Sequence, residues 1–229
     1  MMIAPDITDL SPNFNKHLND VPVAMPATVR TVIIHSTRSG KSMNPSEMEG
    51  TLNYMRQPGT VSSHWVIARD GTKARVVPDD RQAWHAGADN DNAWGIELEQ
   101  GIEADGFTEP QLLSLIQVCR GYIGDFGVLP VHARWSIEPG FIGHSETSQG
   151  QGFGKSDPGV HFPWAEFIAA LEEAPMPEPT QDEMIIALVT LGHFIRSRWN
   201  LADLSDADKA AIRAAADKVA NAGSTGDQA

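Results

Sequence analysis

The chain has 229 residues, 41% hydrophobic and 21% charged, which suits one substantial core with room for a small appendage. Its formal net charge of −13 argues against a nucleic-acid binder, because tracking phosphates needs clustered Lys and Arg. The single cysteine, Cys119, can close no intramolecular disulfide and reads as a small core residue in a reducing compartment.

Residues 1–28 scatter Pro, Asn and Asp without a period and read as an irregular lead-in. The first residues show neither a basic n-region nor a long apolar h-region, so synthesis in the cytoplasm without a signal peptide is expected. The β-branched run 31–34 predicts a buried strand that delivers His35 to its C-terminal end. A helix is predicted over 45–55, with Asn44 as cap, Pro45 in the first turn and Pro58-Gly59 as the stop. Strands follow over 61–68 and 73–77, joined by the turn Arg69-Asp70-Gly71, and another over 94–99. Thr108 caps a helix running to about residue 124, with Leu112, Leu115, Ile116, Cys119 and Ile123 on its apolar face. A shorter helix over 163–171 closes the unit. Alternating strands and helices predict an α/β fold with a central mixed sheet flanked by helices.

The proline-spaced stretch 175–181 reads as a linker between a unit at 1–174 and a helical extension at 182–229. Helices are expected over 182–199 and 205–219, packing on the main unit or supporting self-association. The longest apolar patch, 184–191, is too short to span a bilayer.

Three residues stand out as zinc-competent donors: His35 at a strand end, His144 after Gly143, and Asp157 before Pro158-Gly159. Lys155, two residues before the Asp, would place a fixed positive charge beside a metal. Position alone leaves His35 and His144 open as structural histidines, Asp157 as a turn residue and Lys155 as a solvated lysine. Ligands so far apart in the chain cannot be shown to converge from spacing.

In combination these stretches resemble the zinc-dependent N-acetylmuramoyl-L-alanine amidases of the type 2 amidase and peptidoglycan-recognition-protein superfamily. The resemblance is carried by Val32-Ile33-Ile34-His35-Ser36-Thr37, by Ser62-Ser63-His64-Trp65-Val66-Ile67-Ala68-Arg69-Asp70-Gly71-Thr72, and by Ala83-Trp84-His85-Ala86-Gly87. Asn92-Ala93-Trp94-Gly95-Ile96-Glu97-Leu98-Glu99 and Gly143-His144 with Lys155-Ser156-Asp157-Pro158-Gly159 complete it, in the family's order, over roughly residues 30–170. It implies a zinc ion held by His35, His144 and Asp157, with Lys155 as the family lysine and Glu97 as acid/base. Glu99, two residues on and expected to face the same side of the strand, remains the alternative to Glu97. His64 and His85 either line the substrate cleft or hydrogen-bond a neighbouring loop, Trp84 either stacks on a sugar or is buried, and His132 and His161 have no motif support.

Two departures from the family pattern are expected to border the cleft: Trp94 where a small Ser is common, and the Gly/Gln-rich loop 145–153. The implied function is hydrolysis of the amide between N-acetylmuramic acid and L-alanine in peptidoglycan, as a phage or prophage endolysin, the setting that the appended helices favour, with a cytoplasmic recycler of anhydro-muropeptides as the alternative. A non-catalytic peptidoglycan-binding module is the alternative of another class. Such relatives usually lose a zinc ligand, whereas all three positions and the lysine are filled here.

Overall fold

The computed structural model describes residues 4–16, 21–40 and 47–173. The chain divides into the units Met1–Ala174 and Pro175–Ala229. The expected linker, the two C-terminal helices and self-association through them all lie outside the described residues. In chain order the elements are β1 (Ile7–Thr8), β2 (Thr31–Ser36), α1 (Glu47–Arg56), β3 (Trp65–Ile67), β4 (Lys73–Arg75), β5 (Ala93–Leu98), α2 (Glu109–Phe126), β6 (Gly140–Gly143), α3 (Ser148–Gly152) and α4 (Trp164–Glu172). The strands form one sheet in the order β1-β4-β3-β5-β2-β6. Only β3 and β4 pair antiparallel, across the Arg69–Thr72 turn, so the sheet is mixed as the sequence predicts. No helix among the described residues is long and apolar enough to cross a membrane.

The side-chain period of two divides every central strand between two layers. Val32 and Ile34 of β2, Trp65 and Ile67 of β3, and Trp94, Ile96 and Leu98 of β5 share one cluster with Leu115, Val118, Cys119 and Tyr122 of α2 and Phe167 and Leu171 of α4. On the other face Val66 and Ala74 pack with Met48, Leu52 and Met55 of α1, while Ile33, Ala93 and Ile142 form a smaller cluster. The helices thus cover both faces, but the cover over β2, β5 and β6 on the α1 side is made of small residues. That is where polar groups collect.

α2 begins as predicted at Thr108, whose hydroxyl accepts the Gln111 N–H, and it ends at Gly127 in the left-handed conformation. Its buried face is polar at the N-terminal end. Gln111 Nε2 donates to Ile67 O and Glu99 O, both at 3.0 Å, pinning the helix over the C-terminal ends of β3 and β5. The described part of α1 starts at Glu47, so the expected cap Asn44 and Pro45 fall outside it.

Three parts differ from the sequence reading. The lead-in is not free of structure: β1 pairs with β4, and buried Asn13 ties it to the end of α1 by donating to Met55 O and Gln57 O and accepting Gly59 N–H. The strand predicted over 61–68 is regular only at 65–67, because the preceding backbone bonds to other partners (Ser62 N to Trp84 O, His64 N to Gly95 O). The short strand β6 was not foreseen, since Gly140-Phe141-Ile142-Gly143 carries glycines at both ends.

His64 shows why those contacts hold. It is fully buried, its Nδ1 accepts the Gly95 N–H at 3.0 Å, and its Nε2 lies 3.0 Å from Arg81 O. An accepting Nδ1 makes Nε2 the proton-bearing nitrogen, so the neutral ring bridges β5 to the loop after β4. Burial depresses its pKa from 6.5 to about 4, against the opposing pull of Asp79. Unfolded His64 therefore binds a proton between about pH 6.5 and 4 that the folded ring refuses, so its contribution is complete above pH 6.5 and is lost as pH falls. Removing it by His64→Gln is expected to take up to one proton, ~1.4 kcal/mol per pH unit, off the pH slope of stability across that window. Denaturant unfolding of the metal-free protein at stepped pH checks this, and equal slopes in the two proteins would contradict it.

Candidate active site

Strand register assembles the site. β2 runs parallel to both β5 and β6, so all three C-terminal ends lie on one edge of the sheet, where open α/β sheets place their chemistry. His35 is the register partner of Glu97 on β5, which puts both side chains on the same face. On the other side Ile34 pairs with Gly143, so His144, the next residue, enters a short 3-10 turn level with His35.

Asp157 closes the cluster from a later loop. Its Oδ2 lies 3.3 Å from His35 Nδ1 and 3.2 Å from His144 Nδ1, and the two imidazole centroids are 4.4 Å apart. One ligand atom from each of the three residues falls within 4.8 Å of the others, and all three side chains are buried or nearly so. The loop is anchored on both sides: Ser145 N–H donates to Asp157 O, Lys155 N–H donates to Gly150 O, and Arg38 donates to Ser156 Oγ and Ser156 O.

The Gly/Gln-rich stretch 145–153 folds into that 3-10 turn and α3. Thr147 Oγ1 donates to His144 O and accepts Gly150 N–H, so a single hydroxyl ties the turn to the helix that follows. Gly150 permits the close approach, because a Cβ there would stand 1.8 Å from His144 O. Glu146 braces the other end: its Oε2 accepts the Gly143 N–H at 2.7 Å and pairs with His132 Nε2 at 2.9 Å, and the His132 ring stacks on Trp164. His132 thus supports the turn that carries His144, a role without any motif in the sequence.

The electrostatics favour a cation. Burial lowers the His35 pKa to about 4, outweighing the nearby Asp157, so the ring is neutral at pH 7 with a lone pair to offer. Burial works against charge on Asp157, but the imidazoles of His144 and His35 outweigh it and hold the carboxyl well below the usual range. Two imidazole nitrogens and one carboxylate oxygen make an N,N,O donor set of the kind that binds catalytic zinc and leaves a position open. Beside them Glu97 is pushed up to about 8, first by burial and then by Asp157, with Lys155 pulling it back down. Its Oε2 is buried without a hydrogen-bond partner among the described residues, which is costly for a carboxylate with only a structural role. The arrangement can hold a dication, activate a water and move a proton at Glu97.

The remaining sequence candidates separate. β5 ends at Leu98, and Glu99 beyond it is buried with Oε2 accepting the Arg69 N–H, so the two glutamates do not share a role. Lys155 is exposed and acts on both His35 and Glu97 through its charge. Of the alternatives open for His64, its complete burial selects the loop bond over the cleft. Trp84 is half-buried with Nε1 donating to Asn15 Oδ1. Trp94 does not border the cleft: strand alternation turns it into the core, where it packs on Tyr122 and Phe126. His85 is brought against His35, with Nδ1 3.0 Å from His35 Nε2, and His161 is exposed away from these contacts.

Comparisons with known proteins bear on the family and the fold. The chain is 34% identical over 119 residues to 1,6-anhydro-N-acetylmuramyl-L-alanine amidase AmpD of Enterobacter cloacae, covering 48% of this chain and 57% of that protein. The AmpD of Escherichia coli K12 is 35% identical over 115 residues, 47% of this chain and 56% of its own length. The matched part thus spans little more than half of these relatives. Among solved structures, a selenomethionine AmpD derivative superposes with a TM-score of 0.51 at 25% identity over 74% of this chain and 96% of that one. A mutant endolysin from Bacillus subtilis shares the fold at a TM-score of 0.51 and 18% identity, over 72% of this chain and 97% of its own. The family model described as N-acetylmuramoyl-L-alanine amidase (Amidase_2) matches residues 25–160, and the chain belongs to that family.

Proposed function

We propose that this protein is a zinc-dependent N-acetylmuramoyl-L-alanine amidase whose catalytic unit is residues 1–174. The observation that carries this reading is the convergence of His35, His144 and Asp157, with their ligand atoms within 4.8 Å of one another. In this reading those three residues hold the metal, which when bound supplies a Lewis acid and a water acidified toward neutrality. Glu97 takes the proton of the attacking water and returns it to the leaving amine of L-alanine. Its elevated pKa suits the second half of that cycle, and Lys155 pulls it toward the ionised form needed for the first. The lactyl carbonyl oxygen gathers negative charge in the tetrahedral state, and the Lys155 ammonium stabilises it. The complete donor set and the buried Glu97 Oε2 without a hydrogen-bond partner among the described residues both weigh against a non-catalytic wall-binding module.

Lys155→Ala is expected to keep stoichiometric zinc while kcat falls on the order of a hundredfold or more, the worth of one oxyanion contact. Glu97→Gln should likewise keep zinc and lose about 10²–10⁴-fold in kcat, whereas Asp157→Ala should lose the metal. Metal analysis beside turnover on muropeptides separates these effects. Near-normal turnover in Lys155→Ala or Glu97→Gln would remove that residue's assignment.

The substrate we favour is a soluble anhydro-muropeptide, because the AmpD relatives are named for 1,6-anhydro-N-acetylmuramyl-L-alanine. The second reading is an endolysin acting on intact wall, supported by the segment 182–229 that lies past the family match and offers room for a wall- or partner-binding role. Products from intact sacculi and from soluble anhydro-muropeptides, with and without chelator, decide between them. Chelator-sensitive release of L-alanine-terminated peptides is expected, faster from the soluble substrate. Faster release from sacculi would assign the enzyme to lysis, and zinc-free wall binding without release would overturn the amidase reading.

A further inference from the structure

His85 comes from the loop after β4 and packs over the backbone of β5 at Gly95. A Cβ on Gly95 would stand 2.5 Å from His85 Cγ, so only glycine lets the ring lie there. The backbone of His85 is fixed independently, because Asn90 Oδ1 accepts the N–H groups of both His85 and Ala86. The ring meets His35 edge-on, with centroids 5.1 Å apart and planes at 90°. Two polar contacts follow from this placement: His85 Nε2 is 3.2 Å from Ala93 O, and His85 Nδ1 is 3.0 Å from His35 Nε2.

Those contacts set the direction of a proton chain. A backbone carbonyl can only accept, so His85 carries its proton on Nε2 and presents a bare Nδ1. A bare Nδ1 can only accept, so His35 carries its proton on Nε2 and is left with a lone pair on Nδ1. That Nδ1 is the nitrogen facing Asp157 Oδ2. The opposite direction would set the bare His85 Nε2 against the lone pairs of Ala93 O, a fixed backbone acceptor, whereas the His35 Nδ1 lone pair left facing Asp157 Oδ2 is one that a bound cation would take up. Given the zinc reading above, we propose that His85 is a positioning residue: anchored on Ala93 O, it fixes the tautomer and ring orientation of His35 so that Nδ1 is permanently available to the metal. Outer partners of metal-bound histidines act in this way, and their loss typically costs about 10–100-fold in metal affinity. Here the partner is a second neutral imidazole rather than a carboxylate, so it orients the ligand without adding negative charge beside Asp157.

The test uses the full chain in two measurements. In the metal-free protein, ¹⁵N NMR of the histidine rings reports which nitrogen of His35 carries the proton. Zinc affinity is then measured by competition with a chromophoric chelator. Wild type is expected to show His35 protonated at Nε2. His85→Ala should show mixed tautomers at His35 and about 10–100-fold weaker zinc binding. His85→Asn, which keeps an acceptor oxygen close to the place of Nδ1, should regain most of both. A role in packing alone predicts no such rescue and no change of tautomer. His35 protonated at Nδ1 in wild type, or an unchanged tautomer and affinity in His85→Ala, would overturn the proposal. If His85→Ala does not fold, the wild-type tautomer and His85→Asn decide it. Failure of the zinc reading looks different: Asp157→Ala would then bind zinc as wild type does, while the His35 tautomer still reports on His85.

Discussion

The parallel pairing of β2 with β5 on one side and β6 on the other is the constraint on which the rest of the molecule depends. It brings three strand ends to one edge, and its register decides which side chains meet there: His35 beside Glu97, and Ile34 beside Gly143 so that His144 follows level with His35. A slip of one residue in either pairing would turn a residue of the donor set into the apolar layer under α2 and bring a core residue such as Ile34 out on the site face. The apolar halves of the strands prevent the slip. Val32, Ile34, Ile96 and Leu98 are fully buried in one cluster, so the core holds the site in register.

That edge concentrates groups which would be unfavourable anywhere else. Nitrogens of two imidazoles and an oxygen of a carboxylate lie within 4.8 Å of one another, and beside them Glu97 has a buried oxygen without a hydrogen-bond partner among the described residues. Burial raises Glu97 and lowers His35, the directions expected when low-dielectric surroundings disfavour charge. The His144 imidazole, first among its neighbours, draws the Asp157 carboxyl down against the effect of burial. A dication would offset these costs together, in keeping with the proposed metal site. The supports are arranged accordingly. Arg38 and Ser145 hold the Asp157 loop, and Glu146 and His132 hold the turn before it.

Much of this was legible in the sequence, for physical reasons that can be named. β2 was visible because a fully buried strand is a continuous β-branched run, and α2 because Thr108 and the apolar spacing mark its start and face. The donors His35, His144 and Asp157 were legible as residue types, but their meeting depends on a register that no local pattern encodes. The misses have separate causes. Trp94, expected from the family pattern to border the cleft, is turned into the core by strand alternation, and Glu99, expected to face the same side as Glu97, lies past the strand's end at Leu98. β6 hid behind its glycines, and Asn13 in the lead-in acts through backbone carbonyls of a distant helix end, contacts that leave no periodic trace. His64 and His85 sit in family-like motifs, yet only geometry tells them apart: one bridges backbone to backbone, the other reaches His35.

β5 shows how one strand serves core and chemistry at once. Its residues facing α2 are large, Trp94, Ile96 and Leu98, and they fill the apolar layer. Its residues on the other face are Ala93, Gly95 and Glu97, small until the last. The small pair leaves a trough in the sheet surface, and the His85 ring occupies it, bonded to the Ala93 carbonyl and seated against Gly95. From that trough the ring reaches His35 on the neighbouring strand, while Glu97 at the end of the trough stands level with His35 in the register. In the proposed reading, the size gradient along one face of a single strand therefore sets both the orientation of His35 and the place of Glu97. A bulkier residue at 95 would disturb the first without touching any residue of the donor set.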